Sequence, residues 1–303
     1  MKSRIPSKIL SVFHLITLFS LANLWLLGQD HQRQGATSSE TRSHRRVAQM
    51  PIKGRRVELS SLKGAQLFIG PFVDTERPVP LIIHFHGAAW LIETHISRSV
   101  NAALITVNLG AGSSVYGRPF EQENVFSDLL AEAERELPLR RGWKSITLTG
   151  FSAGYGAIRA ILRNNANFRL VNNVLLLDGI HADLLPEGVR IIDGGMIDDV
   201  DPDAFVMFAA EAARGKKNFV ITHSEIVPDG YASTTECTDY LFEKLKLKRK
   251  MLTRNGPGGM VQLSSADKKG FHVRGYAGDT AQDHVDHLHE MPEWLGFPGL
   301  RHR

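Results

Sequence analysis

Ser145-Ile146-Thr147-Leu148-Thr149-Gly150-Phe151-Ser152-Ala153-Gly154 opens as a short β-branched, apolar strand and passes without a linker into a helical pattern. The turn between them is G-x-S-x-G, the spacing of a nucleophile elbow in its strand–turn–helix context. The spacing has a steric cause. A serine on so sharp a turn is pushed clear of the sheet, and a side chain at Gly150 or Gly154 would collide with the neighbouring strand and helix. The helix N-terminus adds a field that favours developing negative charge. Ser152 is therefore the candidate nucleophile.

Short apolar runs recur on either side of this stretch. Val57–Ser60 and Gln66–Phe72 follow one another with no helix between them and read as an antiparallel edge. Val79–Phe85, Ala102–Asn108, Val174–Leu177, Asn218–Thr222 and Phe271–Tyr276 read as further strands. Helical periodicity occupies Glu121–Leu137, Ala153–Asn164, Pro202–Arg214 and Thr234–Lys246. Continuous apolar strands that alternate with helices indicate an α/β architecture: a doubly wound, mostly parallel sheet with helices on both faces. Chemistry in such sheets sits beyond the carboxyl ends of the strands.

The strand Val79–Phe85 ends in His84-Phe85-His86-Gly87-Ala88-Ala89-Trp90. With the elbow, this stretch resembles the α/β-hydrolase superfamily of esterases, lipases and peptidases, many of which carry a His-Gly pair here. The resemblance implies that Ala88 supplies one backbone N–H of an oxyanion hole and Ala153 the other. The triple glycine of one esterase subgroup is missing. Trp90 is expected to line the acyl pocket or to pack under the loop. His84 and His86 alternate and are expected to brace that loop; no third metal ligand accompanies them, so no metal and no other cofactor is expected.

In this superfamily the base comes last in the order Ser, acid, His. His284 is the expected base, on a short final helix that Asp283 would cap, with Asp286 at the third position. His287, one turn on, is its rival, and a metal cluster of Asp283, His284 and His287 is conceivable. Asp178, at the tip of the apolar strand Val174–Leu177, is the expected acid. Glu225 and Asp229, after Asn218–Thr222, are the alternatives. His181 is expected to line the pocket. Asp199, Asp201 and Asp203 alternate like the start of a calcium loop, but Ala204 stands at its sixth position and Ala210 at its twelfth, so that reading fails. Asp201-Pro202 instead reads as a helix N-cap with proline following.

The chain of 303 residues is 43% hydrophobic and 22% charged, ordinary for a globular protein. Residues 1–56 hold ten Lys or Arg against Asp30 and Glu40, so the net +4 conceals a mildly acidic remainder. That argues against nucleic acid as a partner. Cys237 is the single cysteine, which excludes an intramolecular disulfide and reads as a small buried hydrophobe. Lys2, Arg4 and Lys8 precede an uncharged apolar run over residues 9–28. This reads as an export signal, with Ser20-Leu21-Ala22 as a possible cleavage site, or as a membrane anchor, since the run is long enough to span.

The expected organisation is a signal peptide or anchor (1–28), a disordered basic linker (29–54) and a hydrolase domain (55–303). Export would place that domain in the periplasm or medium, secreted or tethered to the membrane through residues 9–28. The expected activity is hydrolysis of a carboxylic ester, on a small molecule or a carbohydrate, through an acyl-enzyme. A peptidase or amidase with the same triad, or a non-catalytic binding protein on this scaffold, are the other readings. Asp183–Val200 lies where a lid would be inserted; being short and polar, it predicts no large lid and no strong preference for lipid interfaces.

Overall fold

The apolar runs form strands because their side chains are covered on both sides, and Val79–Phe85 and Ala103–Val107 are buried at every position. The computed structural model describes residues 44–297 and Leu300, so the apolar run 9–28 and residues 29–43 lie outside the described residues. No helix among the described residues is long and apolar enough to cross a membrane.

In chain order the elements are β1 (Arg55–Leu59), β2 (Ala65–Ile69), β3 (Val79–Phe85), α1 (Ala89–Ser99), β4 (Ala103–Val107), α2 (Ser113–Gly117), α3 (Val125–Glu136), β5 (Trp143–Phe151), α4 (Tyr155–Arg163), α5 (Asn165–Leu170) and β6 (Val171–Leu177). There follow β7 (Leu184–Leu185), β8 (Met196–Ile197), α6 (Asp203–Arg214), β9 (Asn218–His223), α7 (Thr234–Leu245), β10 (Lys250–Asn255), β11 (Val261–Lys268), β12 (Phe271–Tyr276), α8 (Ala281–His289) and α9 (Met291–Leu295).

Ten strands make one sheet in the order β1-β2-β4-β3-β5-β6-β9-β12-β11-β10. The run β4-β3-β5-β6-β9-β12 is parallel, and both flanks are antiparallel. Alternate residues of each parallel strand feed two cores. Ile83, Leu148 and Leu176 meet α3, α4, α6 and α7 on one face, while Ile82, Phe151, Leu175 and Val220 meet α1, α8 and α9 on the other. Cys237 is fully buried, as its helical setting suggests.

Several local expectations need revision. Thr280, not Asp283, caps α8; Asp283 is the third residue of a reciprocal capping box. Asp201 does not cap α6. It accepts hydrogen bonds from Arg159 at 2.5 Å and from the Asp183 N–H at 3.0 Å. Residues 44–54, which the sequence assigns to a linker, run over the second face. Val47 and Ile52 pack against its core, and the Val47 N–H donates to His289 Nδ1 at 3.0 Å. His44 and Arg46 add hydrogen bonds to Asp286. Asp183–Val200 forms a small hairpin on the two-residue β7–β8 ladder, and it leaves Ile192, Met196 and Val200 exposed, so it is less polar at its surface than its composition implies.

The turn after β1 is clamped to α3 by Glu132. Its carboxylate accepts the Ser60 N–H (2.8 Å) and hydroxyl (2.6 Å) and the Ser61 N–H (2.8 Å). Burial raises this carboxyl, but the hydrogen bonds from Ser60 and Ser61 outweigh it and bring it down from 4.5 to about 2. A carboxyl depressed in the folded state stabilises the protein above its ordinary value and loses that contribution as pH falls through the folded value. Thermal midpoints followed from pH 4.5 towards 2 should therefore fall less steeply in Glu132→Gln than in wild type. Equal acid sensitivity in the two proteins would remove this role from Glu132.

Candidate active site

β5 delivers Ser152 at its carboxyl end with φ +47°, a left-handed conformation rarely adopted by a side chain other than glycine's. Such a residue costs on the order of 1–3 kcal/mol. The helix behind it covers that cost, because α4 buries Ile158, Ile161 and Leu162, each worth about 1.5–3 kcal/mol. The elbow glycines answer to close packing. A Cβ on Gly154 would lie 2.2 Å from the Phe85 carbonyl oxygen at the end of β3.

Asp178 follows β6, also left-handed at φ +44°. The chain then passes so close to the elbow that a Cβ on Gly179 would lie 2.4 Å from the Ser152 carbonyl oxygen. The Asp178 carboxylate is buried and fully engaged. Oδ1 accepts the Ser224 N–H at 2.9 Å, and Oδ2 accepts the Ser224 hydroxyl and His284 Nδ1, each at 2.7 Å. Burial alone would raise this carboxyl. The fields of His287 and His284 and the hydrogen bonds from His284 and Ser224 prevail, holding it far below the usual carboxylate range.

A carboxylate only accepts, so His284 carries its proton on Nδ1 and presents a lone pair on Nε2. That Nε2 is buried and has no hydrogen-bond partner among the described residues. The ring lies against Phe151, the residue before Ser152, with centroids 4.5 Å apart. Ser152 is likewise buried, at 6% exposure. No hydrogen bond joins Ser152 Oγ to His284 Nε2 here, and bonds between such groups often tighten only when substrate arrives.

His287 is placed differently. Its Nδ1 pairs with Thr222 Oγ1 at 2.7 Å, and burial lowers its pKa to about 4, so it stands neutral behind Asp178. Glu225 and Asp229 are exposed, and Glu225 accepts the Gly278 N–H at 3.1 Å. Of the three candidate carboxylates, Asp178 alone meets His284.

The loop after β3 turns through two positive φ angles, +69° at His86 and +109° at Gly87. His86 leaves the strand face it would share with His84. Its Nδ1 pairs with the Tyr116 hydroxyl at 2.9 Å, and that hydroxyl donates to the Gly110 carbonyl at 3.1 Å and accepts the Leu109 N–H at 3.2 Å. His84 instead meets Thr149 Oγ1 at 2.7 Å, and burial lowers its pKa to about 3. Ala88 is the N-cap of α1, and Ala153 lies in the single turn of 3-10 helix between Ser152 and α4. Backbone N–H groups in such positions have no acceptor within the helix. Trp90 packs partly buried on the second core. His181 Nδ1 donates to the Ala232 carbonyl at 3.0 Å, with its ring edge-on to Tyr155 and Tyr231.

Asp283, His284 and His287 do not bring their ligand atoms together among the described residues. His44, Asp283 and Asp286 do bring ligand atoms within 4.8 Å of one another. Arg46, at 2.5 Å from Asp286, already supplies the positive charge there. Sequence reasoning missed Ser224 and Tyr116. Ser224 stands in the His223-Ser224-Glu225 stretch and donates its N–H and its hydroxyl to the Asp178 carboxylate. Nothing in the sequence singles out Tyr116.

A serine elbow after the fifth strand, an aspartate after β6 and a late histidine, on a mostly parallel sheet with helices on both faces, make an α/β-hydrolase fold. No family model and no curated sequence matches the chain. Solved structures similar in outline include an S-formylglutathione hydrolase from Agrobacterium tumefaciens (13% identity, TM-score 0.46, covering 84% of this chain and 98% of that one). Carboxyl esterase 2 from Tuber melanosporum is similar at 16% identity and TM-score 0.48, over 93% of this chain and 97% of its own. An acetyl xylan esterase from Aspergillus awamori is similar at 10% identity and TM-score 0.44, over 81% and 100%. The likeness is one of fold outline alone.

The engagement of Asp178 sets a direct comparison. Asp178→Asn should lower kcat for p-nitrophenyl acetate by orders of magnitude, on the ~10⁴ scale of triad aspartates, whereas Glu225→Gln and Asp229→Asn should leave it nearly unchanged. A loss in either of the latter that matches Asp178→Asn would move the acid elsewhere.

Proposed function

We propose that the protein is a serine hydrolase that cleaves a carboxylic ester through an acyl-enzyme. The observation that carries this reading is the buried pair of Asp178 and His284, which leaves the Nε2 lone pair of His284 open beside the strained Ser152 elbow. Ser152 Oγ attacks the ester carbonyl while His284 Nε2 takes its proton. The carbonyl oxygen becomes negative and is met by the N–H groups of Ala88 and Ala153. His284 then returns the proton to the departing alcohol, and the same nitrogen activates water to release the acid. Asp178 remains ionised throughout, fixes the Nδ1–H tautomer and stabilises the imidazolium. Trp90 and His181 flank the substrate. An alkoxide leaves far more readily than an amine's anion, so an ester depends less than an amide on protonation of its leaving group and makes the smaller demand on this site.

Export on residues 9–28, by cleavage or as an uncleaved tether, belongs to the same proposal and rests on the basic start and apolar run. The partner expected is a small ester or one carried on a carbohydrate.

A fluorophosphonate probe should label wild type and fail to label Ser152→Ala; equal labelling of both ends the proposal. His284→Ala should lose turnover of p-nitrophenyl acetate, with His287→Ala retaining more of it. The reverse order would transfer the base to His287.

A further inference from the structure

Glu290 follows α8 and begins α9, and its side chain is only 7% exposed. Among the described residues its carboxylate makes no hydrogen bond. Its one ion-pair partner among the described residues is Arg45, 3.9 Å away and itself 66% exposed. Burial raises its pKa and Arg45 lowers it only in part. A carboxylate so placed lacks the donors that normally accompany burial.

It faces a cleft of about 510 Å³ between the β10–β11 turn and α9. The turn is fitted to the carboxylate. Gly258 has φ +59°, and a Cβ there would lie 2.4 Å from Glu290 Oε1. Across the cleft, Arg254 donates through Nε to Gln262 Oε1 at 2.9 Å, which leaves both Nη groups without a partner among the described residues. Half-buried Phe297 gives an apolar wall, backed by the buried Trp294 and Tyr276.

The charges select the ligand. An anion would meet Glu290 and Glu293, and a cation would meet Arg45, Arg254 and Arg274. A neutral molecule dense in hydroxyl groups satisfies both sides, donating to Glu290 and accepting from Arg254, with its C–H faces against the aromatic wall. The volume is ordinary for a specific small-ligand site. We propose that this cleft binds a neutral oligosaccharide. Glu290 is the residue that closes α8, the helix that carries His284. The cleft would anchor a carbohydrate whose ester is presented to Ser152. That anchoring role rests on the proposed hydrolase activity, whereas the binding does not.

The test is calorimetry on Ser152→Ala protein titrated separately with cellohexaose, xylohexaose and mannohexaose. At least one should bind with Kd below about 1 mM, and adding Arg254→Ala or Glu290→Gln should weaken it by about tenfold or more. Arg254→Ala is the decisive variant, because its side chain is exposed and outside the fold's core; with Ser152 intact it should keep full fluorophosphonate labelling. No binding by any of the three sugars, or binding unchanged in both variants, overturns the proposal. Ser152 labelling without sugar binding removes the anchor and leaves the hydrolase. Sugar binding without labelling does the opposite.

Discussion

Asp178 is a charge at the tip of an apolar run. Leu175, Leu176 and Leu177 precede it, all fully buried, and an uncompensated carboxylate at that depth would cost several kcal/mol. Two donors from Ser224 and one from His284 offset that cost, and both residues lie far from Asp178 in the chain. The arrangement ties together β6, β9 and α8. Removing any partner leaves the carboxylate short of a donor, so the same contacts that order the site also hold the carboxyl edge of the sheet.

Close backbone packing surrounds that pair. The Gly154 approach to Phe85 brings the elbow onto β3, and the Gly179 approach to Ser152 brings the Asp178 loop onto the elbow. The His86 loop is fixed from a third side by Tyr116, whose one hydroxyl serves an imidazole, an N–H and a carbonyl. Beneath lies a row of polar groups within the second face: His84 with Thr149, and His287 with Thr222. Burial keeps both imidazoles neutral, which spares that face two unpaired charges.

The parallel centre of the sheet was legible because its strands are apolar on both faces, a pattern that depends on local sequence alone. The edge beyond β12 was not. β11 turns Gln262, Ser264 and Ala266 inward and leaves Val261 and Leu263 partly exposed, so its hydrophobic alternation points the wrong way. β10 is an edge strand with little to bury. α1 was missed for a related reason: Glu93 falls on its buried side, where Arg56 of β1 reaches it with bonds of 3.0 and 2.7 Å. A salt bridge between distant residues thus stands where periodicity looks for an apolar one.

Ser152 and the His86-Gly87-Ala88 loop could be read from sequence by itself, because an elbow and a loop after a strand are short-range structures that leave short-range patterns. The sequence also confined the proposed base to a late cluster of histidines and the proposed acid to a few carboxylates at strand ends. What separates these candidates is their surroundings in the tertiary structure. His284 and His287 share a helix and a composition, and they differ only in what the sheet sets opposite them: a carboxylate for one, a threonine hydroxyl for the other. Asp178 differs from Glu225 and Asp229 in the same way, by burial and partners brought from across the fold, and no local spacing encodes that.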